Sequence, residues 1–250
     1  MALIKEMERQ GNWLFKNRSY LPLVYYPLAA FFIFWDERFS ALTSDAYDNI
    51  GWIVTCLFVA FLGLALRAYT IGHTPAGTSG RNTKEGQVAE QLNTSGIYSI
   101  VRHPLYVGNF LMWLGLFMYV GDVFFVIIAS LIFWLYYERV MFAEEAFLRN
   151  KFGYRYDEWS SYAPAFLPNF KNFRPAELAF SARNVLKREY NGLFNLVLSF
   201  VLINLMHHLI RKQELMVHPF WQVSLPTALL ILVVLRTLKK KTRLLHVEGR

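Results

Sequence analysis

The chain has a single cysteine, Cys56, among its 250 residues. An intrachain disulfide and an all-cysteine metal site are therefore excluded. Cys56 lies inside an apolar run and reads as a small core or lipid-facing residue. Also missing is a basic stripe interleaved with a nucleic-acid motif, so the net charge of +8 is not the footprint of a nucleic-acid binder. Basic loops facing anionic lipid account for it. Residues 1–19 are polar and mixed in charge, and no small-residue cleavage site follows a short apolar core. No cleavable signal is expected, and the first apolar segment reads as a retained span.

Apolar residues are what the chain has in excess: 55% are hydrophobic and 17% aromatic. That is too apolar for an ordinary soluble domain, and the aromatic content suits interfacial belts. Six apolar segments stand out, at about 20–35, 50–66, 105–120, 123–137, 192–210 and 220–235. Several fall short of the roughly 20 residues of a standard span. Helices extending past the apolar run, with Tyr, Trp, Lys and Arg at the interface, make up the difference. Pro22 and Pro27 make the first segment the weakest. The expected fold is all-α: a polytopic integral membrane bundle of about six spans with a short central helical hairpin. Three parts are expected: N-terminal spans at 1–71, a core at 72–175, and C-terminal spans with a basic tail at 176–250.

Loop charge supplies an orientation. Lys5, Arg9, Lys16 and Arg18 precede the first span, while Asp36, Glu37, Asp45 and Asp48 against Arg38 follow it. Basic residues return after the second span (Arg67, Arg81, Lys84, Arg102), the fourth (Arg139 through Arg188) and the sixth (Lys239, Lys240, Lys241, Arg243). The positive-inside rule then puts both termini in the cytoplasm. Arg211 and Lys212 dissent, since they fall on the outer side.

Gly121-Asp122 is a minimal turn, so the third and fourth spans form a tight antiparallel hairpin. The loop before it, 72–99, is rich in Gly, Thr, Ser and Asn and is long enough to be a binding loop. An amphipathic helix is expected over 138–152, stopped by Gly153. Tyr154, Tyr156, Trp159 and Tyr162 then form either an interfacial segment or a lid over a cofactor.

Two elements carry the chemistry. The first is Arg102-His103-Pro104-Leu105-Tyr106-Val107-Gly108, at the start of the third span. Proline suits a first helical turn, and the free N–H groups and dipole there favour an anion. Arg102 and His103 flank that point; a topogenic arginine and an interfacial histidine are the other reading. The second is Glu144-Glu145. Neighbours on a helix point about 100° apart, so only one readily serves a given site. Pairing with an ammonium suits that geometry, whereas a glycosidase-type carboxylate pair needs facing groups. A solvated charged face is the alternative.

The run Thr94-Ser95-Gly96-Ile97-Tyr98, then Arg102 to Gly108, then Glu144-Glu145 with Leu148, then Phe152-Gly153, Tyr156, Tyr162 and Pro168 resembles the isoprenylcysteine carboxyl methyltransferase superfamily. That group includes phospholipid methyltransferases, and the resemblance covers about 87–168. It implies S-adenosyl-L-methionine at the cytoplasmic side. Gln91, Leu92 and Asn93 would line the cleft, and Tyr98 would pack on the adenosyl part. His103, Pro104, Leu105 and Tyr106 would wrap the cofactor, with Glu144, seconded by Glu145, on its amino group. Aromatic faces suit a sulfonium through cation–π attraction. Arg139 and Arg102 are the expected catalytic residues. The prenylcysteine enzymes place an arginine four residues before the cofactor-binding glutamate; Val140 stands there in this chain. Arg139 is one position out of register, and its long side chain can still reach an anionic acceptor.

The resemblance thus implies a membrane methyltransferase with a lipid or lipidated acceptor, whether a prenylcysteine carboxylate, a phospholipid amine or a lipid phosphate. The alternative is a membrane sterol or fatty-chain reductase using NADPH, which carries a similar Arg-His-Pro loop. A non-catalytic membrane scaffold is a third. Beyond the matched core, Asn195, Asn204, His207 and His208 lie in or near an apolar helix, where polar groups usually face a bundle interior. His207-His208 lacks the spacing for two ligands on one face, so no metal is expected. Lys239 to Arg243 reads as a headgroup anchor.

Overall fold

Asn49, Asp122 and Ser181 each start a helix. Their side chains accept the backbone N–H groups of Trp52, Phe125 and Asn184, satisfying donors that a helix start leaves orphaned. The computed structural model describes residues 2–35, 46–75, 77 and 87–249. Eight α-helices run through the described residues: α1 (Leu3–Asn17), α2 (Tyr25–Trp35), α3 (Ile50–Gly72), α4 (Pro104–Val120), α5 (Val123–Phe152), α6 (Tyr154–Tyr162), α7 (Ala182–His207) and α8 (Pro219–Lys241). The only pairing of strand type among these residues is an isolated bridge between Gly96 and Arg174. The acidic-loop residues Asp36, Glu37, Arg38 and Asp45, the basic Arg81 and Lys84, and most of 76–86 lie outside the described residues.

Four helical segments are long and apolar enough to cross a membrane: Ile50–Gly72, Val123–Phe152, Ala182–Lys212 and Pro219–Lys241. The other two apolar segments form the shorter helical stretches Leu21–Trp35 and Pro104–Val120. Outward faces are apolar, as on α5 (Phe124, Ile127, Leu131, Leu135) and α8 (Val223, Leu230, Val233). Apolar residues inside and out are what a helical membrane bundle requires.

The hairpin turns at Gly121, whose φ of 85° is open to glycine, before Asp122 caps α5. α3 packs most extensively on α4. A Cβ on Gly108 would strike the Gly63 carbonyl and Arg67, and one on Gly115 would strike Cys56 and Ala60. Small residues thus bring the two backbones together, the usual device where lipid offers no hydrophobic drive between helices. Cys56 is fully buried in this seam.

Two sequence expectations change. The helix expected at 138–152 is the continuation of the fourth span: α5 is one helix of 30 residues. The hydropathy changes at Tyr137, but the i→i−4 hydrogen-bond ladder does not depend on hydropathy. Asn195 is exposed, not interior. Asn204, His207 and His208 are buried as expected. Asn204 donates to the Tyr119 hydroxyl at 2.9 Å, which also takes Trp221 Nε1 at 2.9 Å. Lys212, one of the two dissenters from the charge rule, is bound to Asp48 at 2.9 Å, and His208 meets the same carboxylate at 3.0 Å. Its charge is compensated within the protein.

α1 carries no long apolar run, yet it is a helix whose Gly11 and Phe15 are buried against α5. Leu3, Ile4 and Trp13 remain exposed on its other side, beside Lys5, Arg9 and Lys16. That pattern is an interfacial helix.

Candidate functional site

The segment 100–103 enters α4 as an irregular strap. Arg102 and His103 donate their backbone N–H groups to the carbonyls of Pro164 and Ala165, and Asn169 donates to Ile100. The chain after α6 therefore lies alongside the Arg-His-Pro loop. Side chains rivet the two. The Arg102 guanidinium grips Glu145 with two nitrogens, at 2.9 and 3.2 Å. Its remaining nitrogen donates to the carbonyls of Ser160 and Ala163, at 3.0 and 2.6 Å. His103 Nε2 meets Glu145 Oε1 at 2.9 Å. Glu145 stands beyond the apolar stretch of α5. Burial opposes its ionisation, but the hydrogen bonds and charges of His103 and Arg102 win and hold its carboxyl at about 2.

Glu144 faces differently. Tyr106 donates to its Oε2 at 2.7 Å, and His103 Nδ1 lies 3.7 Å from the same atom. Glu144, and not Glu145, lines a cavity of about 310 Å³ between the ends of α3, α4, α5 and α7. That volume is at the small end of the ~300–1,000 Å³ of small-molecule sites. The 100° between neighbours has divided the pair: one carboxylate for the fold, one for the cavity.

All the residues Gln91, Leu92, Asn93, Tyr98, Arg102, His103, Pro104, Leu105 and Tyr106 line this cavity with Glu144. Tyr98 is set by the short 3₁₀ turn Ile97–Ser99. Its carbonyl accepts Trp159 Nε1 at 2.8 Å, so α6 closes behind it. Burial and the Glu144 charge push its phenol up from its ordinary value. Tyr156 and Trp159 are buried against Leu92, Tyr98 and Leu148. The aromatic segment thus packs down on the loop. Segment 91–93 is a partition, since a second cavity of about 260 Å³ lies on its other side, lined by His73, Glu177 and Glu248.

Glu145 and Arg139 are not brought to the cavity wall. Arg139 Nε donates to Gln10 Oε1 of α1 at 3.0 Å and its Nη1 to the Leu135 carbonyl at 3.0 Å. One residue of register turns it onto a neighbouring helix.

Sequence reasoning missed Arg18, Arg67, Asn109, Tyr137, Arg188 and Glu189, which all line the cavity. Arg67 is clamped by Glu189 through two hydrogen bonds, at 3.0 and 2.7 Å, and reaches Asn109 Oδ1 at 2.6 Å. Asn109 Nδ2 donates to the Tyr137 hydroxyl at 3.0 Å. For Arg67 the available signal was an ionisable residue inside a helix that continues apolar on both sides of it, which is a site indication by itself. Among the described residues no group of three or more His, Cys, Asp or Glu is placed to hold a metal.

Residues 54–155 match the family model described as phospholipid methyltransferase. Over 77 residues the chain is 38% identical to the protein-S-isoprenylcysteine O-methyltransferase of Schizosaccharomyces pombe, covering 31% of this chain and 33% of that protein. Over 89 residues it is 36% identical to the nickel-cobalt-cadmium resistance protein NccN of Alcaligenes xylosoxydans xylosoxydans. It is 37% identical to the cobalt-zinc-cadmium resistance protein CzcN of Cupriavidus metallidurans, also over 89 residues. These two matches each cover 36% of this chain and 41% of the relative. The chain thus spans less than half the length of the curated relatives it matches. No solved structure matches. The matched stretch contains α4, α5 and the loop between α3 and α4, and over it the chain is similar to phospholipid methyltransferases and to a protein-S-isoprenylcysteine O-methyltransferase.

Proposed function

We propose that the chain is a membrane-embedded S-adenosyl-L-methionine-dependent methyltransferase acting on a lipid or lipidated acceptor. The observation that carries this is Glu144: an acceptor-only carboxylate in the wall of a small cavity, oriented by Tyr106 and facing the start of α4. A ligand with an ammonium, a carboxylate and an aromatic base fits such a wall. Glu144 suits the ammonium, the N–H groups and dipole at the start of α4 suit the carboxylate, and Tyr98 and Tyr106 offer aromatic faces. When bound, the cofactor supplies an electrophilic methyl group on a cationic sulfur.

The protein's own share is placement and dryness. Tyr106 fixes the carboxylate rotamer of Glu144. Leu105, Phe147, Leu148 and Trp159 contribute the apolar part of the cavity's lining. Alignment and water exclusion supply much of the barrier reduction in such a displacement. A carboxylate or phosphate acceptor arrives ionised and needs no base; an amine acceptor must first lose a proton. NADPH fits poorly, because a cavity of about 310 Å³ is small for a dinucleotide.

Basic residues at the cavity end of the bundle, among them Arg149, Arg188 and Lys239, support a cytoplasmic site and cytoplasmic termini. The full chain in detergent is titrated by calorimetry with S-adenosyl-L-methionine and with NADPH, then incubated with methyl-labelled cofactor and membrane extract. Binding of the first ligand and label in an extractable lipid or lipidated protein is expected. NADPH binding without S-adenosyl-L-methionine binding sinks the proposal.

A further inference from the structure

The polar chain Glu189–Arg67–Asn109–Tyr137 crosses four helices and has a direction. A guanidinium has only donors. The Asn109 atom 2.6 Å from Arg67 must therefore be the amide oxygen. The amide nitrogen is then the atom 3.0 Å from the Tyr137 hydroxyl, and it donates. Tyr137 oxygen is thereby committed as an acceptor on this side. Its own proton is left to point elsewhere, and among the described residues no group takes it. The ring cannot turn away: it stacks on Phe133 at 4.1 Å and packs on Tyr106 at 4.9 Å. Tyr137 is buried and lines the cavity. A buried donor with no protein partner is costly unless something in the cavity accepts from it.

Tyr137 is also two turns before Glu144 on α5, about 10 Å nearer the apolar half of the helix. The cavity thus has two polar ends on one helix, an acceptor-only end at Glu144 and a donor at Tyr137. Arg18, Arg67 and Arg188 share the walls, so positive charge accompanies the donor. Neither Arg18 nor Arg188 lies in the matched stretch 54–155.

We propose that the Tyr137 hydroxyl donates a hydrogen bond to an oxyanion of the lipid-linked acceptor, its polarity fixed by Glu189, Arg67 and Asn109. The class is a carboxylate or phosphate carried on an apolar chain. Tyr137 contacts this ligand; Glu189, Arg67 and Asn109 are positioning residues. Calling the ligand a methyl acceptor rests on the methyltransferase reading; the donor polarity does not.

The test is calorimetry on the full chain in detergent. The probes are N-acetyl-S-farnesylcysteine, its neutral methyl ester, dioleoyl phosphatidic acid and oleylamine. Wild-type protein is expected to bind at least one oxyanion probe about 10-fold or more tighter than the ester and the amine, and the preferred probe distinguishes carboxylate from phosphate. Tyr137→Phe should weaken that probe about 10- to 100-fold, the range for a hydrogen bond to a charged group. Its thermal midpoint and affinity for S-adenosyl-L-methionine should stay put. Asn109→Asp keeps the bond from Arg67 but must accept from Tyr137, reversing the hydroxyl. It should weaken the same probe, and adding Tyr137→Phe should cost little more. Wild type that prefers the ester or amine, binds no probe, or loses nothing in Tyr137→Phe overturns the proposal. Oxyanion binding without S-adenosyl-L-methionine binding removes the methyltransferase reading and leaves the role of Tyr137 standing.

Discussion

Glu145→Gln is the change that isolates the rivet between α5 and the Arg-His-Pro loop from the cavity chemistry. Glutamine keeps the size but loses the charge, and it turns an N–H group toward Arg102 or His103. Removing one partner of a fully buried ion pair costs about 3–5 kcal/mol. The Arg102 and Glu145 side chains are 15% and 25% exposed, and Arg102 retains the Ser160 and Ala163 carbonyls. Solvent screening and those retained bonds reduce the expected cost to about 2 kcal/mol. The loss should be local, because the contacts broken hold α6 and the strap, not the span helices. An opening made easier by about 2 kcal/mol speeds amide exchange roughly 30-fold. Hydrogen exchange by mass spectrometry should therefore show peptides from 154–165 accelerating while those from α3 and α7 do not. Unchanged exchange in 154–165, or equal acceleration in all helices, would refute the reasoning.

Glu144→Gln should leave that exchange alone and weaken S-adenosyl-L-methionine binding about 10- to 100-fold, as for a lost charge-assisted bond, read by calorimetry. The rivet should also respond to acid. Glu145 has a carboxyl held at about 2 against an ordinary 4.5. Its contribution is fully present above 4.5 and is lost as pH falls through about 2, so intrinsic-rate-corrected exchange in 154–165 should rise across that window. Gly108→Ala puts a methyl group against Gly63 and Arg67. Overpacking of this kind costs about 1–3 kcal/mol, and the thermal midpoint in detergent should fall.

Much of the site is local in sequence and therefore readable. Gly121-Asp122, Pro104 and Gly153 announce where α4 and α5 begin and end, because each residue has a conformational reason to be there. Glu144 and the loop 91–106 fall on one cavity because a two-residue turn folds α5 back along α4. Arg67 and Glu189 are 122 residues apart, and no spacing rule connects them; only the packing of α3 on α7 does. Arg139 shows the limit of motif register: the residue type is there, but its helical phase delivers it to Gln10. α1 is hidden for a different reason. Its buried face is Gly11 and Phe15 with Leu14, too few apolar residues to stand out among its charges.

The unbroken length of α5 makes the helix a depth gauge. Val123 to Glu144 spans about 32 Å, against a hydrocarbon thickness of roughly 30 Å. With no joint between the membrane-crossing half and the half bearing Glu144, the carboxylate keeps a set height above the lipid tails. On the proposed function, a water-soluble donor molecule would reach that height, and an acceptor moored in the bilayer would meet it from beneath, at the level of Tyr137. Under the proposed methyltransferase function, a greasy acceptor would not have to be lifted out of the membrane to bring the two together.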